Sequence, residues 1–129
     1  NPVTMVAGLS VLKRLEEKIY YQLDVQTDKL CSGIKDILED EEIDFQINRL
    51  GSIFTVFFTG QPVKDKLSAK KARSEVFSLL HSALLRNGVY FPPSQFECCF
   101  LSAVHSDDDI FTTLDAFSSS VKSLKSRSA

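Results

Sequence analysis

Apolar residues recur at three- and four-residue steps in three stretches of the chain, which is the spacing of one face of a helix. The first stretch covers residues 17–39, the second residues 69–87, and the third begins after Ser106. Gly88 follows the second stretch and suits the C-terminal cap of a helix, whereas Ser106 and Asp109 resemble a capping box. The pattern therefore predicts three amphipathic helices.

The first twelve residues form a different kind of apolar stretch, "NPVTMVAGLSVL". Asn1 suits the cap of a helix and Pro2 its first turn. The residues after Pro2 are apolar nearly all round, and a helix without a polar face needs burial on several sides. We therefore expect this helix to need a partner surface.

Shorter runs of aromatic and β-branched residues predict strands. The run "FQINRLGSIFTVFF" indicates a hairpin that turns at Gly51, and residues 89–91 and 98–103 indicate two further strands on either side of Pro92-Pro93. Strands joined by turns, with helices between and after them, make an α+β fold. We expect a small antiparallel sheet of about four strands packed with helices.

Length and composition limit the kinds of function that are open to the chain. Its 129 residues correspond to one domain, and 43% of them are hydrophobic, as in ordinary globular proteins. A net charge of −2 argues against a nucleic-acid partner. The charge-free start of twelve residues is too short to span a bilayer, so no membrane partner is expected.

The cysteines and histidines are the residues that could bind a metal ion or act as a nucleophile. Three cysteines cannot all pair, and Cys98 and Cys99 are adjacent, which indicates reduced thiols in a cytoplasmic compartment. The spacing of Cys31, His81 and His105 relative to these two fits no zinc pattern, so no metal site is predicted. A Cys–His nucleophile is equally weak, because Cys98 and Cys99 are interpreted as small hydrophobic residues of a half-buried strand.

Two charged features each allow a plain and a functional interpretation. The cationic run from Lys64 to Arg73 is interpreted as a solvated helix start in preference to a phosphate site. Glu97 follows the two prolines in "GVYFPPSQFECCF". It is either an exposed residue at a strand end or a carboxylate held at the rim of a cleft, and local sequence leaves both open.

Three stretches carry a resemblance to a known family: "NPVTMVAGLSVLK", "NRLGSIFTVFFT" and "GVYFPPSQFE" with the later "FLSAVHSDDDI". In order and spacing they resemble the C-terminal part of the glutamate-1-semialdehyde 2,1-aminomutase family, pyridoxal-phosphate enzymes among the class III aminotransferases. The resemblance covers nearly the whole chain. This chain departs from the family at Cys98-Cys99, where small alanines are usual, and in residues 61–71.

The resemblance implies a small C-terminal domain like that of fold-type I pyridoxal-phosphate enzymes. We expect residues 1–43 to be leading helices that connect to a missing large domain, and residues 44–129 to be the C-terminal α+β domain. The resemblance also implies pyridoxal 5'-phosphate as cofactor, a homodimer, and a Schiff-base lysine upstream of Asn1. This chain alone is then expected neither to bind the cofactor nor to be active.

The resemblance gives Glu97 a catalytic role. The wider family commonly places an arginine on the following strand to bind a substrate carboxylate, and "CCFLSA" contains none. The matching glutamate of the aminomutases faces the active site, where it interacts with amino groups of a small-molecule substrate that becomes 5-aminolevulinate. The alternatives are another class III aminotransferase and a free-standing α+β binding module without catalysis.

Overall fold

The structure is a computed structural model that describes residues 1–128, and the side chains of residues 1–125. Two helices come first, α1 (Pro2–Leu12) and α2 (Glu17–Asp40), followed by the strands β1 (Gln46–Leu50) and β2 (Ile53–Phe57). The remaining elements are α3 (Lys66–Ala69), α4 (Ser74–Arg86), β3 (Cys99–Phe100) and α5 (Asp107–Ser128). The α+β fold class predicted from the pattern is confirmed.

The sheet is antiparallel with the order β1-β2-β3. The predicted hairpin is present, and Gly51 takes a positive φ of 55° in its turn, a conformation that glycine adopts without strain. The sheet has three strands among the described residues rather than about four, because residues 89–91 pair with no strand. The following Pro92 and Pro93 lack the N–H groups that a strand ladder needs.

The second predicted helix is interrupted, which corrects its start from residue 69 to Ser74. Asp65 and Ser68 form their own capping box around the short α3, and the N–H of Arg73 then donates to the carbonyl of Phe58. That bond diverts the backbone from a helical path before α4 begins. The end of α4 is as predicted, since Gly88 has a φ of 79° and closes the last turn.

One face of the sheet packs against helices α2, α4 and α5 to form the main core. Phe54 of β2 stacks edge-to-face on Phe91, with ring centroids 6.0 Å apart, and Phe91 lies against Phe117 of α5. Leu30 and Ile34 of α2 belong to the same core. Residues on both sides of the predicted boundary at residue 43 thus pack together, and the division into 1–43 and 44–129 stays a prediction.

Helix α1 contributes nothing to this core. The side chain of Asn1 accepts a hydrogen bond from the N–H of Val3, so the predicted cap is confirmed. None of its residues is buried, and Val3 and Met5 are 75% and 73% exposed. None of the described helices is both long and apolar enough to cross a membrane.

Candidate functional site

The segment of residues 92–98, between Phe91 and β3, carries Glu97 and is fixed to the rest of the fold at two points. The hydroxyl of Thr55 on β2 donates to the carbonyl of Glu97 over 3.4 Å. The side-chain Nε2 of Gln95 donates to the carbonyl of Ala69, also over 3.4 Å. Between these anchors the N–H of Glu97 donates to the carbonyl of Ser94 in a tight turn. The segment is therefore bonded to β2 through the carbonyl of Glu97 and to α3 through the side chain of Gln95.

The side chain of Glu97 is exposed, and so are its neighbours Phe96 and Cys98. Among the described residues, no hydrogen bond or ion pair engages its carboxylate. Phe96 and Cys98 both line a cleft on the surface, whereas Glu97 itself lies beside it. The neighbouring Phe96 and Cys98 do not bury the charge. The structure places Glu97 at a strand end and near a cleft at once, so its catalytic role stays a prediction.

The cleft beside Glu97 lies on the face of the hairpin opposite the main core. Its volume is about 780 Å³. Its apolar wall includes Phe57, Val63 and Ala69, which form a small cluster separate from the main core. Thr55 and Gln95 line it as well. We call this space the hairpin cleft, defined by Phe57, Val63, Ala69, Gln95 and Phe96.

The rim of the hairpin cleft is cationic. Lys64, Lys66 and Lys70 line it, all three are exposed, and none of their ammonium groups forms an ion pair with a described residue. The one carboxylate on this rim, Asp65, accepts hydrogen bonds from the N–H and hydroxyl of Ser68, which hold its pKa below the ordinary value. Its charge is engaged within the capping box, so the cleft presents a positive edge.

The guanidinium of Arg49 is the fourth cation beside the hairpin cleft, but it is already occupied. It binds the carboxylates of Asp24 and Asp28 over 2.6 Å and 2.7 Å. It also donates to the main-chain carbonyls of Asp24 and Gly51. Arg49 therefore ties the hairpin turn to α2 and leaves no free charge for a ligand.

The buried thiols are poor nucleophiles. Burial raises the pKa of Cys99 to about 12 and that of Cys31 to about 11, whereas Cys98 is exposed. His81 stacks edge-to-face on Tyr90, and the Nδ1 of His105 accepts from the N–H of Ser102. Within residues 1–128, no three metal-ligating side chains come close enough to share an ion.

The lysines of this chain do not fit the attachment of pyridoxal phosphate. A Schiff-base lysine sits in surroundings that lower its pKa and exclude water. All ten lysines here are exposed, including Lys64, Lys66 and Lys70 at the hairpin cleft. None of these exposed side chains therefore has the surroundings of a Schiff-base lysine, and an upstream lysine stays a prediction.

The burial of Gln95 is not predicted by the sequence. This side chain is 2% exposed, and its Oε1 has no hydrogen-bond partner among the described residues. In "PPSQFE" a glutamine next to prolines and a serine is typical of an exposed turn. Its burial depends on contacts with α3, which no local pattern records. A buried amide with one unused acceptor is the feature that the sequence analysis missed.

The chain is similar in sequence to curated proteins named glutamate-1-semialdehyde 2,1-aminomutase. It is 38% identical over 125 residues to the glutamate-1-semialdehyde 2,1-aminomutase of Methanothermobacter thermautotrophicus, a match to 97% of this chain and 30% of that protein. The enzyme of the same name from Thermoplasma volcanium is 46% identical over 121 residues, covering 94% of this chain and 29% of its own length. The chain thus spans about 30% of the length of these relatives. No family model matches.

Solved structures show the same fold. An omega-transaminase from Sphaerobacter thermophilus superimposes with a TM-score of 0.80 at 23% identity, over 95% of this chain and 28% of that chain. A glutamate-1-semialdehyde aminomutase from Pseudomonas aeruginosa PAO1 gives a TM-score of 0.75 at 18% identity, over 84% and 24%. In sequence the chain is therefore similar to glutamate-1-semialdehyde 2,1-aminomutases over about 30% of their length, and it shares its fold with the corresponding part of the two solved structures.

Proposed function

We propose that this chain is the C-terminal part of a pyridoxal-phosphate-dependent aminomutase. The complete protein isomerises glutamate-1-semialdehyde to 5-aminolevulinate for tetrapyrrole (porphyrin) biosynthesis. The observation that carries the proposal is the identity of 38% to 46% with enzymes of that name over more than nine-tenths of this chain. The alignment to the Methanothermobacter enzyme covers 97% of this chain. It therefore includes the hairpin and the "PPSQFE" segment, which lie far from both ends of the chain.

In this proposal Glu97 binds an amino group of the substrate. Its carboxylate is negative, exposed and not engaged by any described residue, so it is free to accept hydrogen bonds from an ammonium. Thr55 donates to the main-chain carbonyl of Glu97, and the side chain of Gln95, two residues earlier, donates to Ala69, which limits the positions that the carboxylate can reach. Pyridoxal phosphate, when bound by the rest of the protein, supplies an electron sink for the amino exchange.

The same proposal also explains the domain division, the exposed helix α1 and the free cysteines. Residues 1–43 connect to a large domain that lies outside this chain, and residues 44–129 form the C-terminal domain of a homodimer. The exposed apolar surface of α1 supports a covering partner, because large apolar patches mark interaction surfaces. The free thiols of Cys31, Cys98 and Cys99 support a cytoplasmic location.

The proposal is tested by expressing the complete gene product, loading it with pyridoxal phosphate, and following 5-aminolevulinate from glutamate-1-semialdehyde. We expect product without any added amino acceptor, since the amino group moves within one molecule. Product formation that requires a separate keto acid would instead indicate another class III aminotransferase. Absence of both activities in a folded, cofactor-loaded protein would contradict the proposal.

The present chain serves as the control in that experiment. We expect it to form no product, and borohydride reduction in the presence of the cofactor should leave no single lysine labelled in stoichiometric yield. Its ten exposed lysines are expected to label weakly and without selectivity. One lysine labelled in full yield would show that the attachment site lies within these residues.

A further inference from the structure

Strand β1 is an edge of the sheet, and part of its main chain points away from β2. The turn at Gly51 leaves Leu50 opposite Ile53, so this pair exchanges the hydrogen bonds that close the hairpin. Bonded and non-bonded pairs alternate along an antiparallel ladder. Ile47 and Arg49 therefore direct their main-chain N–H and C=O groups to the outer edge, where no described residue bonds them.

This outer edge lacks the features that keep an exposed edge strand apart from other strands. Proteins usually protect such edges with a lysine, a proline or a bulge. β1 contains no lysine or proline, and all five of its residues pair with β2 in an unbroken register. Its one charged side chain, Arg49, is bound by Asp24 and Asp28 of α2. We therefore expect this edge to be covered in the complete protein.

The main core is also incomplete at this edge. Phe45 and Ile47 alternate with outward residues on the core-facing side of the strand, and Ile43 lies just before them. All three pack against the main core and are only partly buried. A cavity of about 370 Å³ lies beside them, and all three line it. Unpaired main-chain groups and partly covered apolar side chains thus occur at the same edge.

We propose that a further strand of the same protein, from outside these 129 residues, pairs with the outer edge of β1 and extends the sheet. Its main-chain groups bond those of Ile47 and Arg49, and it presents an apolar residue beside Ile47 and a polar residue beside Arg49. This rests on the proposed function in one respect, namely that the chain belongs to a longer protein. The aligned residues are about 30% of the length of the relatives, so ample chain exists to supply a strand.

The geometry of the edge decides what kind of segment covers it. Donors and acceptors that recur at every second residue are complemented by an extended backbone, whereas a helix has already used its own main-chain groups. A second copy of β1 fits less well, because the antiparallel register that overlaps the whole strand places Arg49 opposite Ile47 of the second copy. A strand of different sequence can match both residues, and its attachment to the same polypeptide favours pairing further.

The first test measures hydrogen exchange of single amides in the complete protein, by mass spectrometry with residue-resolving fragmentation. We expect the amides of Ile47 and Arg49 to exchange at least about tenfold more slowly than in an unstructured peptide, the scale of one main-chain hydrogen bond. The amide of Asn48, which faces β2, is the internal reference for a protected amide. Exchange of Ile47 and Arg49 at the rate of the unstructured peptide would overturn the proposal.

The second test identifies the covering segment by photo-cross-linking. A benzophenone side chain is placed at Leu50, which ends β1 and is 81% exposed. We expect an adduct within one polypeptide to a segment outside residues 1–129, in a yield independent of protein concentration. The same group at Leu85, 53% exposed on α4, is the control and should not label that segment. Adducts between two copies, or adducts only within residues 1–129, would overturn the proposal.

A pair of variants links the adduct to strand pairing. Ile47→Pro removes the outward N–H and leaves the bonds to β2 in place, because proline is tolerated where the N–H points away from the sheet. Ile47→Ala is the matched control for the lost side chain. We expect the proline variant alone to lose most of the adduct and to exchange the Arg49 amide about tenfold faster. Equal adduct yield and equal exchange in the two variants would overturn the proposal. If the proline variant does not fold, the two tests on the parent protein decide.

The outcome is separable from that of the proposed function. Production of 5-aminolevulinate by a protein whose Ile47 and Arg49 amides exchange freely would overturn the inference about β1 and leave the reaction intact. Protected amides and the expected adduct in a protein without that activity would support the strand pairing and contradict the reaction.

Discussion

The hydroxyl of Thr55, in the middle strand of the sheet, donates a hydrogen bond to the main-chain carbonyl of Glu97 over 3.4 Å. This bond joins the sheet to the loop that carries the candidate catalytic carboxylate. Glu97 is exposed and has no side-chain partner in the described chain, so its location depends on its backbone. The sheet thereby helps to set where the carboxylate lies.

Replacing Thr55 with valine tests that relationship. Thr55→Val keeps the β-branched shape and removes the hydroxyl, so we expect the free energy of unfolding to fall by about 1 kcal/mol. In the complete protein, turnover should fall severalfold, because the loop position is less well defined. Urea unfolding and turnover measure the two effects. Thr112→Val on α5, at an exposed threonine, should change neither. Equal turnover of the Thr55 variant and the parent would show that this bond does not position Glu97.

The start of α5 should respond to acid. Hydrogen bonds from the N–H of Ser106 and then from its hydroxyl hold the pKa of Asp109 below its ordinary value of 3.8. Because the folded pKa is lower than the unfolded one, the stabilisation is present above pH 3.8 and is lost as the pH falls through the folded pKa. A carboxyl NMR titration should show this lowered pKa.

Two variants extend the acid prediction for α5. Asp109→Asn should reduce the loss of stability below pH 3.8. Asp108→Asn, one residue earlier, is the matched control and should leave that loss unchanged. An Asp109 carboxyl that titrates at its ordinary value would contradict the capping geometry.

The cysteines should differ sharply in reactivity. Cys98 is exposed, whereas burial raises the pKa of Cys99 to about 12 and that of Cys31 to about 11. At pH 8 iodoacetamide should therefore alkylate Cys98 first, because the thiolate is the reactive form. Mass spectrometry of the digested chain measures the order. Alkylation of Cys99 at the same rate as Cys98 in the folded chain would contradict the assigned burial.

Helix α1 should make the isolated chain associate with itself. Its apolar side chains are exposed, and contact between such surfaces removes them from water. Analytical ultracentrifugation should show species larger than a monomer. The double variant Met5→Lys, Leu9→Lys should shift them towards monomer, and Phe111→Lys, at an exposed apolar residue of α5, is the control. A monomeric parent chain with strong hydrogen-exchange protection of α1 would contradict the idea of a missing partner.

Elements with a regular period were predictable from the sequence, and elements fixed by long-range contacts were not. The stripes of α2 and α5 and the turn at Gly51 follow from local patterns, and the structure confirms them. The break before α4 depends on the bond from Arg73 to Phe58, fifteen residues away, and residues 89–91 lack a strand partner. Neither feature can be predicted from a few neighbouring residues of the sequence.

The candidate site was likewise predictable only where a local motif marks it. Glu97 was identified from a motif, and the structure adds that Thr55 anchors its backbone from 42 residues away. Gln95 was missed, because its burial depends on Ala69 in the short helix α3. Residue type suggested chemistry at Glu97, whereas only the fold shows which groups hold that loop.

The proposed catalytic role of Glu97 is tested by the turnover of the complete protein with Glu97→Gln. This change keeps the shape of the side chain and removes its charge, so the protein should fold and bind pyridoxal phosphate as before. We expect turnover of glutamate-1-semialdehyde to fall roughly ten- to a thousand-fold, the scale of losing a charge-assisted contact to an ammonium. Glu75→Gln on α4, at another exposed glutamate, is the matched control and should retain full turnover. Full turnover of Glu97→Gln would contradict the catalytic role and leave Glu97 as an exposed residue at a strand end.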